Sequence, residues 1–197
     1  MANGKVVTGF SDPFVALYAN SGTTITYTSC TPLARGVEVS VEAEESSDSN
    51  NFYADNVLAE SIQGIFSGGT ATLTVDGLLE NTRKLIYGLP AADGSGWTHF
   101  GDSQSVPYVG IGFVTRYMSG GVTSYVPTIL TKAIFAAEPQ SAATQGDEVD
   151  WQTTELKATL LRDDSANHDW KMIGTAQSTQ AAAVSMITTA LGGYTPA

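Results

Sequence analysis

One long stretch, between Gly36 and Glu80, carries acids alone among its charged side chains. It holds Glu38, Glu42, Glu44, Glu45, Asp48, Asp55, Glu60, Asp76 and Glu80, and no Lys or Arg. Carboxylate pairs do acid–base chemistry when their surroundings push their pKa values apart. Here the acids are too abundant for any pair to stand out. A carboxylate-dependent hydrolase is the enzyme they would permit. Asp48, Asn50 and Asn51 offer oxygens that suit calcium, but their spacing departs from the calcium-loop pattern. His99 and His168 are far apart, and neither has a partner at metal-ligand spacing. Both are expected in solvent. Cys30 is the only cysteine, so no disulfide forms within the chain, and it reads as a small buried hydrophobe. There is no Gly-x-Ser-x-Gly elbow, no phosphate-binding glycine loop with a lysine and no His-Glu-x-x-His. No catalytic, cofactor or metal residues are assigned, and the chain is not expected to be an enzyme.

The placement of the acids is more telling than their number. In Gly36–Glu44, Val37, Val39, Val41 and Ala43 alternate with Glu38, Ser40, Glu42 and Glu44. That is the period of a strand with one apolar and one wet face. Thr70–Asp76 repeats the pattern, with Ala71, Leu73 and Val75 inward and Thr70, Thr72, Thr74 and Asp76 outward. An apolar face backed by a uniformly acidic and hydroxylated one suits a lining along which an anion passes without sticking. A polar loop over residues 45–51 leads into Phe52-Tyr53-Ala54-Asp55-Asn56, then a segment over residues 57–66. Ser67-Gly68-Gly69 is expected to turn the chain back.

Residues 1–22 read as an N-terminal arm, with Ser11-Asp12-Pro13 as a turn. Residues 23–30 read as a strand, since Ile25 and Tyr27 alternate with threonines. After Asp76 the period becomes helical: Leu78, Leu79, Thr82, Leu85, Ile86 and Leu89 recur, with Asp76 as expected N-cap and Gly88 and Pro90 as stops. That helix should lay Leu79, Leu85 and Ile86 against a sheet. Residues 108–117 and 122–136 form a hairpin about Gly120-Gly121, and Pro127 within it suggests an edge or bulge. Residues 138–150 are a long polar loop. Strands are expected over 151–162 and from Trp170, with a hairpin tip at 163–167. A final helix starts at Ser178 or Thr179, carries Ala181, Val184, Ile187 and Leu191 as its stripe and ends at Gly192-Gly193. Trp97, Trp151 and Trp170 read as core or interface anchors rather than a sugar platform.

The expected architecture is mainly β, an antiparallel β-sandwich or open barrel of about eight strands with two flanking helices. At 197 residues it reads as a single domain, 1–197. The formal charge of −11 argues against binding a nucleic-acid backbone. Met1–Lys5 has no apolar core behind it, so the chain is expected to fold in a cytoplasm, and no run approaches membrane-spanning length.

Three stretches together resemble the major tail proteins of phages with long, non-contractile tails. They are the strand, acidic loop and Phe52–Asn56 with the Gly-Gly pair; Ala143-Thr144-Gln145-Gly146-Asp147-Glu148-Val149-Asp150-Trp151; and Trp170-Lys171 before the terminal helix. The resemblance runs from about Gly9 to Leu191. It implies a tail tube fold and a structural virion subunit whose hexameric rings stack into a hollow tube. Sheets of neighbouring subunits would join around a lumen that conducts DNA without specific binding. It also implies a tape measure protein and terminator or tail-tip proteins as partners, no cofactor and no membrane. On that basis Glu38, Glu42, Glu44, Thr72 and Thr74 are expected to line the lumen. Asp48, Asn50, Tyr53, Gln145, Asp147, Glu148 and Trp151 are expected at subunit or stacking contacts. A β-sandwich module that binds a carbohydrate or surface partner is the alternative.

Overall fold

A computed structural model describes residues 4–46, 51–61, 65–102, 104–144 and 151–194. In chain order its elements are β1 (Val6–Ser21), β2 (Thr24–Pro32), β3 (Gly36–Glu45), β4 (Asn51–Ala54), β5 (Val57–Ser61) and β6 (Phe66–Val75). There follow α1 (Glu80–Tyr87), β7 (Val109–Ser119), β8 (Val122–Phe135), β9 (Thr154–Leu161), β10 (Lys171–Ile173) and α2 (Gln180–Ala190). Eight strands form one antiparallel sheet in the order β2-β1-β7-β8-β9-β6-β3, with β10 added beside β8. β4 and β5 make a separate hairpin. The mainly β, antiparallel architecture with two helices is therefore as expected.

The sheet curls so that β3 comes to face β1. A Cβ on Gly36 would lie 2.3 Å from the Phe10 ring. The enclosed core holds Ile111 and Phe113 from β7, Leu130 and Phe135 from β8, Leu156 and Leu160 from β9, and Leu73 and Val75 from β6. α1 adds Ile86 and Tyr87. On the outer surface α2 lays Ala183, Ile187 and Leu191 over Phe14, Ala16, Val114 and Ile129. Thr179 caps α2, its side chain accepting from the Ala182 N–H at 3.3 Å. Gly112 makes the seat: a Cβ there would lie 2.3 Å from Ile187 Cγ2.

Several expectations are corrected. The segment read as an arm is β1, paired with β7 along Val6–Leu17 and with β2 along Phe14–Ser21. Its turn signal at Asp12-Pro13 is a bulge between Ser11 and Phe14, with Asp12 at φ 50°. Gly68 and Gly69 do not turn the chain but lie within β6 opposite Glu44 and Ala43. A Cβ on Gly69 would lie 2.4 Å from the Glu42 carbonyl oxygen, so glycine here permits close strand approach. The turn that does form is Asp55–Asn56, with φ of 51° and 62°, joining β4 to β5. Asp76 is not an N-cap; it bonds Arg35, and α1 begins after Leu79 without a side-chain cap. Leu79 is 70% exposed rather than packed on a sheet. Gly88 does end the helix, at φ 59°. On α2, Ala183 is buried and Ala181 is exposed.

Pro127 lies within β8 opposite Val114, and the hairpin turn at Gly120-Gly121 forms as expected. Its carbonyl accepts from the Gly174 N–H at 2.8 Å. In a strand the nitrogen and carbonyl of one residue face the same side, so its missing donor faces β10 and costs the β7–β8 ladder nothing.

Candidate functional site

The alternation of β3, β6 and β9 puts apolar side chains inside and polar ones outside, and the register aligns the outer ones. Glu38 stands opposite Thr74, Ser40 opposite Thr72 and Glu42 opposite Thr70. Across the next seam Thr74 meets Glu155, Thr72 meets Lys157 and Thr70 meets Thr159. Lys157 Nζ lies 3.2 Å from Glu155 Oε1. The expected lining residues Glu38, Glu42, Glu44, Thr72 and Thr74 therefore share one outer face. Glu38, Glu42 and Glu44 are exposed and form no ion pair among the described residues. No cation stands against these glutamates among the described residues, and the half-buried threonines between them add hydroxyls.

The inner side of β3 departs from simple alternation. A bulge between Gly36 and Glu38 inserts Val37, which is 55% exposed instead of packed inward. Ala43 is also exposed; Val39 and Val41 pack against the core. Beyond β3 no described strand continues the sheet, and β2 ends it on the other side. A groove of about 420 Å³ runs beside β3, walled by Val7, Phe10, Val39, Phe113 and Ile173.

The expected contact residues fall at separate places. Trp151 is 87% exposed, just ahead of β9. Tyr53 lies in β4 opposite Leu58, at the other end of the β3–β6–β9 face. Asp48, Asn50, Gln145, Asp147 and Glu148 lie outside the described residues, as does most of the loop over 45–51 and the end of that over 138–150.

A larger groove, about 870 Å³, opens at the end of the sheet where β9 begins, and includes Arg83, Phe100, Gln104, Glu138, Thr153 and Glu155. Arg83 Nε donates to Glu138 Oε1 at 2.8 Å. Gln104 Nε2 donates to the Tyr87 carbonyl at 2.8 Å, tying the groove wall to α1. Beside it Asp93 organises a tight loop: its Oδ1 accepts from the Ser95 and Trp97 N–H groups at 2.8 and 2.9 Å, and its Oδ2 meets His99 Nε2 at 2.9 Å. The His99 contact, then the two backbone donors, hold the Asp93 carboxyl below the usual carboxylate range. This braced loop leaves Trp97 71% and Phe100 57% exposed. Sequence reasoning noted Trp97 but passed over Phe100 and Arg83. An aromatic pair inside a Gly/Asp/Ser loop was the available signal.

The remaining reactive groups sit apart from these surfaces. Cys30 is buried as expected, and burial pushes its thiol up to about 11. His99 and His168 are both exposed. Trp170 is neither free nor isolated, but stacks on Phe66 with ring centroids 4.4 Å apart. Among the described residues no three His, Cys, Asp or Glu side chains gather as a metal would require. No described helix is long and apolar enough to cross a membrane. Compared with protein-family models the chain matches none. No curated protein matches it either.

Proposed function

We propose that the chain is a structural subunit of a phage tail tube, assembling as hexameric rings that stack into a hollow tube. The observation that carries this reading is the face built by β3, β6 and β9. Among the described residues Glu38, Glu42 and Glu44 stand there without cationic partners, beside Thr72 and Thr74, and no described strand continues the sheet beyond β3. An exposed edge is normally blunted or covered, and a ring of copies would consume it. An acidic lumen repels phosphates, so DNA slides along it without being held. The resemblance to major tail proteins supports the same assignment. It brings a tape measure protein and terminator or tail-tip proteins as partners, and a place in the virion. Negative-stain electron microscopy of the purified protein, dilute and concentrated, tests it. Six-fold rings or hollow tubes are expected; compact monomers at every concentration count against it.

The second reading is a module that binds a carbohydrate or surface partner. The outward Trp97 and Phe100 on the Asp93-braced loop favour it. It predicts a monomer or small oligomer with ligand-quenched tryptophan emission.

A further inference from the structure

Three aromatic side chains stand in solvent on the segments that wall the 870 Å³ groove. Phe100 is itself a wall residue, and Trp97 precedes it by three positions. Trp151 precedes another wall residue, Thr153, by two. The loop that carries Trp97 and Phe100 is built in advance. Asp93 accepts from the Ser95 and Trp97 N–H groups on one oxygen and meets His99 on the other. The backbone under the two rings is thus fixed, and little of it remains to be ordered when something binds.

The rest of the wall is polar and paired. Its two cations each have an acid: Arg83 Nε donates to Glu138 Oε1 at 2.8 Å, and Lys157 Nζ lies 3.2 Å from Glu155 Oε1. The Arg83–Glu138 bond uses one edge of each group. The terminal nitrogens of Arg83 and the second oxygen of Glu138 make no hydrogen bond among the described residues. On the loop beside the groove, Asp93 and Asp102 have no Lys or Arg partner among the described residues, so the rim is acidic. An anionic ligand would meet these acids and find both wall cations engaged. A wholly apolar one would leave the guanidinium and carboxylate desolvated without new partners. The wall suits a ligand with flat C–H faces to lie on aromatic rings and with hydroxyls at its edge, each able to donate and accept. Those are the properties of a pyranose ring.

We infer that this groove binds an uncharged polysaccharide, with Phe100 and Trp97 as stacking faces and the Arg83–Glu138 pair reading the hydroxyls. The inference rests on the second reading, to which it gives a place and a ligand class, and it does not depend on the tube. One sugar hydroxyl can donate to Glu138 while it or its neighbour accepts from Arg83. Both are charge-assisted bonds, stronger than those between neutral groups. The volume falls among those of ligand sites, about 300–1,000 Å³.

Affinity electrophoresis of the dilute full-length protein tests it, in native gels that contain one soluble polysaccharide each. Galactomannan, xyloglucan, mixed-linkage β-glucan and dextran are the uncharged probes; alginate and dextran sulfate are the anionic ones. Retardation is expected with at least one uncharged probe and with neither anionic one. Phe100→Ala and Trp97→Ala should each weaken it about tenfold. Both side chains are exposed, so the melting temperature should stay where it was. Retardation that both variants keep in full overturns the groove and leaves a carbohydrate-binding module standing. Retardation by the anionic probes alone overturns the uncharged ligand. Retardation by no probe overturns the site and the carbohydrate form of the second reading together. A sedimentation coefficient that falls with concentration-dependent association lost in Phe100→Ala would then assign the groove to a second copy.

Discussion

The ammonium of Lys132 sits 2.7 Å from Asp164 Oδ2, against the faces of Tyr18 and Tyr108 at 5.0 and 4.8 Å. The Tyr18 hydroxyl donates to the same carboxylate oxygen at 2.6 Å. This network ties the turn after β9 to β1 and β8. The Lys132 hydrogen bond, then that of Tyr18, holds the Asp164 carboxyl below its usual range. A depressed carboxyl adds stability above its unfolded value of about 3.9, and that stability is lost as pH falls through the folded value. Thermal melts from pH 7 to pH 2 should therefore show a steep acid limb. Asp164→Asn should lower the melting temperature at pH 7, because it strips the carboxylate from a largely buried ammonium. It should also flatten that limb. An acid limb unchanged by the substitution would show that other carboxyls set it.

Glu42→Lys with Glu44→Lys tests the acidic face directly. Both side chains are exposed and unpaired among the described residues, so stability in urea should change by no more than about 0.5 kcal/mol. If the face lines a tube, assembled particles should still form but should release DNA more slowly. Locating either residue on the outer surface of an assembled tube, by labelling or microscopy, rules out the lumen assignment.

The seat of α2 gives a packing prediction. Gly112→Val drives a side chain into Ile187 and should cost about 1–3 kcal/mol. Ile187→Ala opens a cavity and should cost about 2–5 kcal/mol. Because the two residues touch, the double variant should lose less than the sum, the valine entering space the isoleucine has left. Additive losses in urea melts would place α2 elsewhere.

The tryptophans predict a fluorescence result. Trp97 and Trp151 are exposed, whereas Trp170 is stacked on Phe66 with ring planes 1° apart. Trp97→Phe with Trp151→Phe should remove most of the acrylamide-quenchable emission of the dilute protein. Undiminished quenching in the double variant would mean that Trp170 is open to solvent.

Much of the sheet was legible because its period was. Ala71, Leu73 and Val75, and Leu156, Ala158 and Leu160, alternate and face the core. The lining candidates followed from the same count. What alternation hides is a change of register. The bulge at Gly36–Glu38 turns Val37 outward, and no residue type there announces it. Gly68-Gly69 misled because the residue that suits a turn also suits a close strand approach, and only the neighbouring strand distinguishes the two. β1 was legible only in pieces. Asp12-Pro13 interrupts it locally, and the pairing that makes it one strand is with β7, about a hundred residues away. The groove was missed for a similar reason: Arg83, Phe100, Glu138 and Thr153 come from four separate segments.

The outer edge of β3 has a bearing on when copies associate. Two β3 edges laid together antiparallel would bring glutamates from both chains within a few ångströms of each other, so mutual pairing of identical edges is opposed by repulsion. The repulsion reaches about 8 Å at physiological ionic strength and about 30 Å at 0.01 M. A freshly made subunit in dilute buffer is thus guarded by its own glutamates against the symmetric dimer. Added salt relaxes that guard, and ionic strength becomes a throttle on the onset of polymerisation.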